Sequence, residues 1–177
     1  MTTNTNTTLL NDVDIEAVGG LIRAVAADPA KAATRWRAQV TWLGGFRSEA
    51  KVRSFAPIAS DEPAALGGTD SAPNPVEQLL AALGNCLAVG YAANATARGI
   101  EIRELSIDIA GDLDLQTFLG LRPGGHAGFD NISVEVALES DATAEQIAEL
   151  HEHVLSTSPV GHTLRAAIPL EASISLA

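Results

Sequence analysis

Between Asn74 and Gly99 the chain is written as one long helix with both ends marked. Asn74 is a capping residue, Pro75 suits the first helical position, and Glu77 stands where a capping box needs its carboxylate. Gly99 supplies the stop, so the helix is expected from Pro75 to about Arg98. A helix of that length must find partners for its sides, which constrains the rest of the fold. It also carries the chain's only cysteine, Cys86. A lone cysteine has no internal disulfide partner and is either a small hydrophobic filler or a reagent.

On an ideal helix Leu79, Ala82, Leu83, Gly90, Ala93 and Ala97 share the face of Cys86, which predicts that this apolar face packs against another element. A buried thiol without a cation is inert, and a reactive thiolate needs a positive neighbour. Arg47 and Arg53 in the first strand region are candidates, as are Arg98, Arg103 and Arg165. Sequence alone places none of them beside Cys86. Glu77, nine residues earlier, lies about 180° around the helix from Cys86. It reads as the capping partner of Asn74, or as a carboxylate that holds an arginine across the helix end by a bidentate pair.

The flanking segments predict the remaining elements. Ile15, Val18, Leu21, Ile22 and Val25 recur at helical steps from about Asp14 to Ala33, and Asp28-Pro29 breaks that run in two. Trp36, Ala38, Val40 and Trp42 alternate with polar residues, which predicts a half-buried strand. Gly44-Gly45 turns the chain into a returning strand over Arg47 to Ile58, making a hairpin. Strands are expected over Ile100–Ile109 and Ile132–Leu138, separated by a glycine-rich irregular stretch from Asp112 to Phe129. A helix capped by Thr143, with Gln146 completing the box, precedes a short turn after Ser158-Pro159. A last strand alternates through Ile168, Leu170, Ala172, Ile174 and Leu176. This order has no regular βαβ repeat, so the fold class is α+β. Residues 1–33 read as a polar leader with a helical extension, and 34–177 as the main domain.

Composition excludes several roles. The net charge of −11, with only Lys31 and Lys51 as lysines, repels phosphate backbones and anionic bilayers, so no nucleic acid or membrane partner is expected. No uninterrupted apolar run reaches the length of a span. The start, Met1 to Thr8, lacks the basic and apolar regions of a secretory signal, and a cytoplasmic location is expected. His151 and His153 point in different directions on a helix, and His126 and His162 are scattered, so neither a metal nor another cofactor is expected. Ser158 and His162 lack the glycines of a nucleophile elbow, which argues against a hydrolase. Gly67-Gly68 and Gly124-Gly125 read as turns, since neither leads from a strand into a helix. The many alanines and glycines predict close approach between helices.

Several of these pieces together resemble the OsmC/Ohr family: Leu66-Gly67-Gly68-Thr69, Asn74-Pro75 through Cys86, the glycine-led strand from Gly99 to Leu113, and Leu150 through Val160. The likeness covers roughly Trp36 to the C-terminus. It implies an intertwined homodimer with curved antiparallel sheets around long central helices. It also implies a thiol peroxidase for organic hydroperoxides in oxidative-stress defence. In that family one cysteine attacks the peroxide, an arginine activates it, a glutamate orients the arginine, and a second cysteine in Cys-Pro-Val resolves the sulfenic acid. Carried over, Cys86 is the attacking residue, Arg47 the arginine with Arg53 second, and Glu77 the glutamate. Leu115, Phe118 and Leu119 are candidates for a substrate pocket. Ser158-Pro159-Val160 stands at the resolving position, so an external thiol reductant has to close the cycle. The alternative is a non-catalytic dimer of the same fold that binds a small apolar or thiol ligand.

Overall fold

Asp14 begins the first helix as a cap, its Oδ1 accepting from the Ala17 amide at 2.9 Å, and α1 spans Ile15–Ala27. Pro29 breaks the run as predicted, and a 3₁₀ turn follows over Pro29–Ala32. In this computed structural model, which describes residues 9–175, the polar leader from Met1 to Thr8 and Leu176 of the expected last strand lie outside the described residues. The described chain forms two compact units, residues 14–81 and residues 82–175 with 9–13.

In the first unit β1 (Gln39–Gly44), β2 (Arg47–Lys51) and β3 (Ile58–Ser60) form an antiparallel sheet in that order. The predicted hairpin is present but differs in two ways. Pairing begins at Gln39 opposite Lys51 and not at Trp36. In the same register Ala38 would pair with Val52 and then Arg37 with Arg53, two like charges facing each other, and Arg53 adopts φ 51°, where a ladder cannot continue. That kink also splits the returning strand, so its end comes back as β3, with Ser60 opposite Ser48. The second difference is exposure. Val40 and Trp42 are 65% and 73% exposed, so among the described residues nothing covers this side of β1.

The loop after β3 is wound around one carboxylate. Asp61 is 1% exposed and accepts from the Glu62, Thr69 and Ser71 amides and from the Thr69 and Ser71 hydroxyls, the shortest bond being 2.5 Å. The Thr69 hydroxyl above all holds the Asp61 carboxyl well below the usual carboxylate range; burial opposes this, and the Glu62 and Ser71 bonds add to it. A depressed carboxyl stabilises the fold above its unfolded pKa of about 3.9 and loses that contribution as pH falls toward the folded value. Urea unfolding at pH 7 and near pH 3 should therefore show a larger acid loss for the native chain than for Asp61→Asn. Equal losses would contradict this account.

The loop ends in the cap of α2 (Pro75–Ala97). Asn74 Oδ1 accepts from the Glu77 amide at 2.9 Å, and Glu77 Oε2 accepts from the Asn74 amide at 2.8 Å, a reciprocal capping box. By length and composition α2 is apolar enough to cross a membrane, with mean hydropathy 1.3, which the reading of uninterrupted runs missed. Its stripe of Leu83, Leu87, Tyr91 and Ala95 is instead buried in the core of the second unit.

That unit adds β4 (Glu104–Leu113) and β5 (Phe129–Glu139), an antiparallel pair whose half-buried faces match Leu105 with Leu138, Ile107 with Val136 and Ile109 with Val134. The structure starts β4 at Glu104, not Ile100. Residues before it are held differently: Asn11 donates to Thr96 Oγ1 and the Ile100 carbonyl at 3.0 and 2.9 Å and accepts from the Ile102 amide at 2.8 Å. Helix α3 (Ala144–Thr157) carries the predicted Thr143–Gln146 capping box, and α4 (Pro159–Arg165) follows it. The close approach predicted from small residues is found at Gly90, where a Cβ would lie 2.9 Å from Val154 Cγ1 of α3. No strand forms over residues 166–175, although Leu170 and Ile174 alternate at 93% and 90% exposure. A strand requires a ladder partner, and the described residues offer this segment none.

Candidate functional site

The core stripe of α2 is centred one residue away from Cys86, on Leu83 and Leu87. Cys86 therefore sits on the flank of the helix and is half-buried, not fully enclosed as its apolar face predicts. What meets it is Ser158, at the junction of α3 and α4, with Cys86 Sγ and Ser158 Oγ 3.2 Å apart. Ser158 is 4% exposed. It is there for a local reason as well: its Oγ accepts from the Gly161 amide at 3.1 Å, capping α4 with Pro159 in the first turn. A serine hydroxyl has one proton and two lone pairs. With one lone pair occupied by Gly161 N–H, the proton is available to Cys86. In this contact the thiol can donate to the free serine lone pair, or the serine hydroxyl can donate to sulfur.

Beside Ser158 lies a cavity of about 300 Å³, walled by Leu83, Leu87, Val134 and Leu155, with Arg165 at its polar side. The Arg165 guanidinium also donates to the Leu155 carbonyl at 3.2 Å. Arg103 is committed to Glu139, at 2.8 Å, and to Asp141. His162 bonds the Ser156 carbonyl at 2.6 Å, and among the described residues no imidazole bonds Ser158. Tyr91, in the core, shares a hydrogen bond with His151 Nδ1, and burial pushes its phenol up. Neither partner of that pair carried a sequence signal, because the bond joins helices sixty residues apart.

The other predicted residues stand as follows. Arg47 opens β2, with Nε donating to the Gly44 carbonyl at 3.4 Å. The Arg53 guanidinium lies over the Phe55 ring, 4.6 Å from its centroid. Glu77 is in the capping box, where its Oε2 is engaged. Leu115, Phe118 and Leu119 fall in the irregular stretch between β4 and β5 and are 37%, 67% and 56% exposed, with Leu119 N bonded to the Leu115 carbonyl at 2.9 Å. They do not line the cavity beside Ser158. Of the predicted site residues, the structure brings Cys86 and Ser158 into direct contact.

A family model described as OsmC-like protein matches residues 68–173. Among curated proteins none matches the chain. Solved structures with the same fold include an OsmC-like protein from Mycoplasma pneumoniae, with TM-score 0.65 and 20% identity over 75% of this chain and 88% of that one. An organic hydroperoxide resistance protein OsmC from Legionella pneumophila aligns with TM-score 0.58 and 16% identity, covering 75% and 92% of the two chains. An organic hydroperoxide resistance protein from Elizabethkingia anophelis aligns with TM-score 0.55 and 19% identity, covering 75% and 90%. At these identities the structural likeness establishes the fold.

Proposed function

This chain belongs to the OsmC-like protein family, and from that premise we propose that it is a one-cysteine, thiol-dependent reductase of organic hydroperoxides. The observation that carries the reading is the contact of Cys86 with a buried serine that has a proton to donate. The names of the Legionella and Elizabethkingia structures, organic hydroperoxide resistance proteins, support the substrate class. In the proposed cycle the Cys86 thiolate attacks the outer peroxide oxygen. An S–O bond forms, the O–O bond breaks, and the leaving alkoxide takes a proton to become the alcohol. The resulting sulfenic acid is attacked by an external thiol, which releases water and leaves a mixed disulfide. A second thiol frees Cys86, so one hydroperoxide and two thiols become one alcohol, one disulfide and one water.

Arg47, with Arg53 as second choice, is assigned to stabilise the thiolate and the leaving oxygen, and Glu77 to orient that guanidinium through its remaining carboxylate oxygen. Leu115, Phe118 and Leu119 are assigned to the apolar part of the substrate. The working form is a homodimer in the cytoplasm. The unpaired alternation over residues 166–175 and the uncovered Val40 and Trp42 support it, since both need a surface that the described chain does not supply. One observation favours a second reading, ligand binding without turnover: the cavity of about 300 Å³ adjoins Ser158, where the family's peroxidases have a second cysteine.

Steady-state consumption of cumene hydroperoxide with dithiothreitol distinguishes the two. Peroxide loss should depend on both protein and thiol and disappear in Cys86→Ser, whose circular dichroism should match the parent. Equal rates in the two proteins would overturn the peroxidase reading.

A further inference from the structure

The unit formed by residues 14–81 carries an open cavity of about 810 Å³ whose lining includes Arg35, Trp36, Arg37, Lys51 and Arg53. Four of the chain's 11 lysines and arginines thus gather on one concave surface of a chain whose net charge is −11. Among the described residues no acidic side chain lines the cavity, and none of these four cations is in an ion pair. Their placement opposes the local fold. Extended past Gln39–Lys51, the strand register would pair Ala38 with Val52 and then oppose Arg37 to Arg53, and the backbone at Arg53 turns to φ 51°. Like charges directly opposed destabilise a ladder, and a multivalent anion between guanidinium groups offsets such repulsion.

Trp36 adds an independent requirement. Its ring is 81% exposed and lines the same cavity, while its Nε1 donates to Thr34 Oγ1 at 3.1 Å. The indole's single donor is therefore satisfied and its orientation set, leaving an open aromatic face. Such a face stacks on a planar ring, and arginines beside it grip phosphate. The cavity volume also falls in the range of small-molecule sites. We propose that this cavity binds a nucleoside polyphosphate, with its phosphates among Arg35, Arg37, Lys51 and Arg53 and its base stacked on Trp36. The proposal does not rest on the peroxidase reading.

The test is titration of the full chain with adenosine triphosphate, inorganic tripolyphosphate and adenosine, followed by calorimetry. Indole fluorescence is read in a Trp42→Phe background, which leaves Trp36 as the only tryptophan. Adenosine triphosphate should bind and quench the emission, and tripolyphosphate should bind at least about tenfold more weakly without quenching. Arg37→Gln should weaken nucleotide binding by at least about tenfold, and Trp36→Leu should reduce the nucleotide to the affinity of tripolyphosphate. Both residues are exposed, and thermal unfolding checks that the variants remain folded. No binding of the nucleotide at millimolar concentration, equal affinity for nucleotide and tripolyphosphate in the parent, or unchanged binding in Arg37→Gln would each overturn the proposal.

Discussion

Gly68→Ala is expected to be the most destabilising single-methyl change in the chain. A Cβ on Gly68 would lie 1.8 Å from the Glu62 carbonyl oxygen and 2.4 Å from its carbon. Both are backbone atoms of a loop whose hydrogen bonds converge on Asp61, so no side chain can swing aside. The Glu62 carbonyl also accepts from the Asp70 amide at 3.1 Å, and displacing it breaks that bond. Relief requires opening the loop, which carries Asp61's cage at one end and the Asn74 cap of α2 at the other. A loss of about 3 kcal/mol or more is expected, the upper range for overpacking with strain. Gly67→Ala is the control. Its φ is 89° and its Cβ would meet Phe46 Cε2 at 3.2 Å, a flexible ring, so the cost should be about 1–2 kcal/mol. Urea midpoints of the two variants check the order, and a Gly68→Ala midpoint equal to the parent's would contradict the loop geometry.

The second large effect is chemical. Ser158→Cys places a second thiol where Oγ now lies 3.2 Å from Cys86 Sγ. A disulfide needs about 2.05 Å between sulfurs, an approach of about 1 Å that side-chain rotation can supply. After oxidation the variant should lose both thiols together and gain an internal disulfide. Sulfenic acid trapped by dimedone should fall by more than about tenfold, because the neighbouring thiol captures it first. The variant also surrenders an oxygen cap on Gly161 N–H, a cost of about 1 kcal/mol. Undiminished trapping would mean that the two side chains do not meet in solution.

How far the sequence foretells this molecule depends on how local each signal is. The bounds of α2 and the caps of α3 and α4 are legible because Asn74, Thr143 and Ser158 act on amides within three residues. Alternation likewise finds the buried faces of β4 and β5. The failures are non-local. Alternation over residues 166–175 promises a strand, but a strand depends on a partner ladder that no periodicity reveals. The late start of β1 accords with Arg37 and Arg53 opposing each other two residues beyond its first pair, which is visible only once the register is known. Asp61 looks like any loop acid until Thr69 and Ser71 fold back upon it. Within the candidate site, Cys86 is legible from the helix motif. Its contact with Ser158 joins positions 72 residues apart, and the family resemblance, not the spacing, drew attention to that serine.

The central claim is that Cys86 is a peroxide-reactive thiol, and intact mass spectrometry tests it most directly. Reduced protein is exposed briefly to cumene hydroperoxide with dimedone present. The account predicts a rapid, stoichiometric dimedone adduct that maps to Cys86. No adduct over minutes, with the thiol still titratable after unfolding, would contradict it and leave Cys86 as packing on the flank of α2.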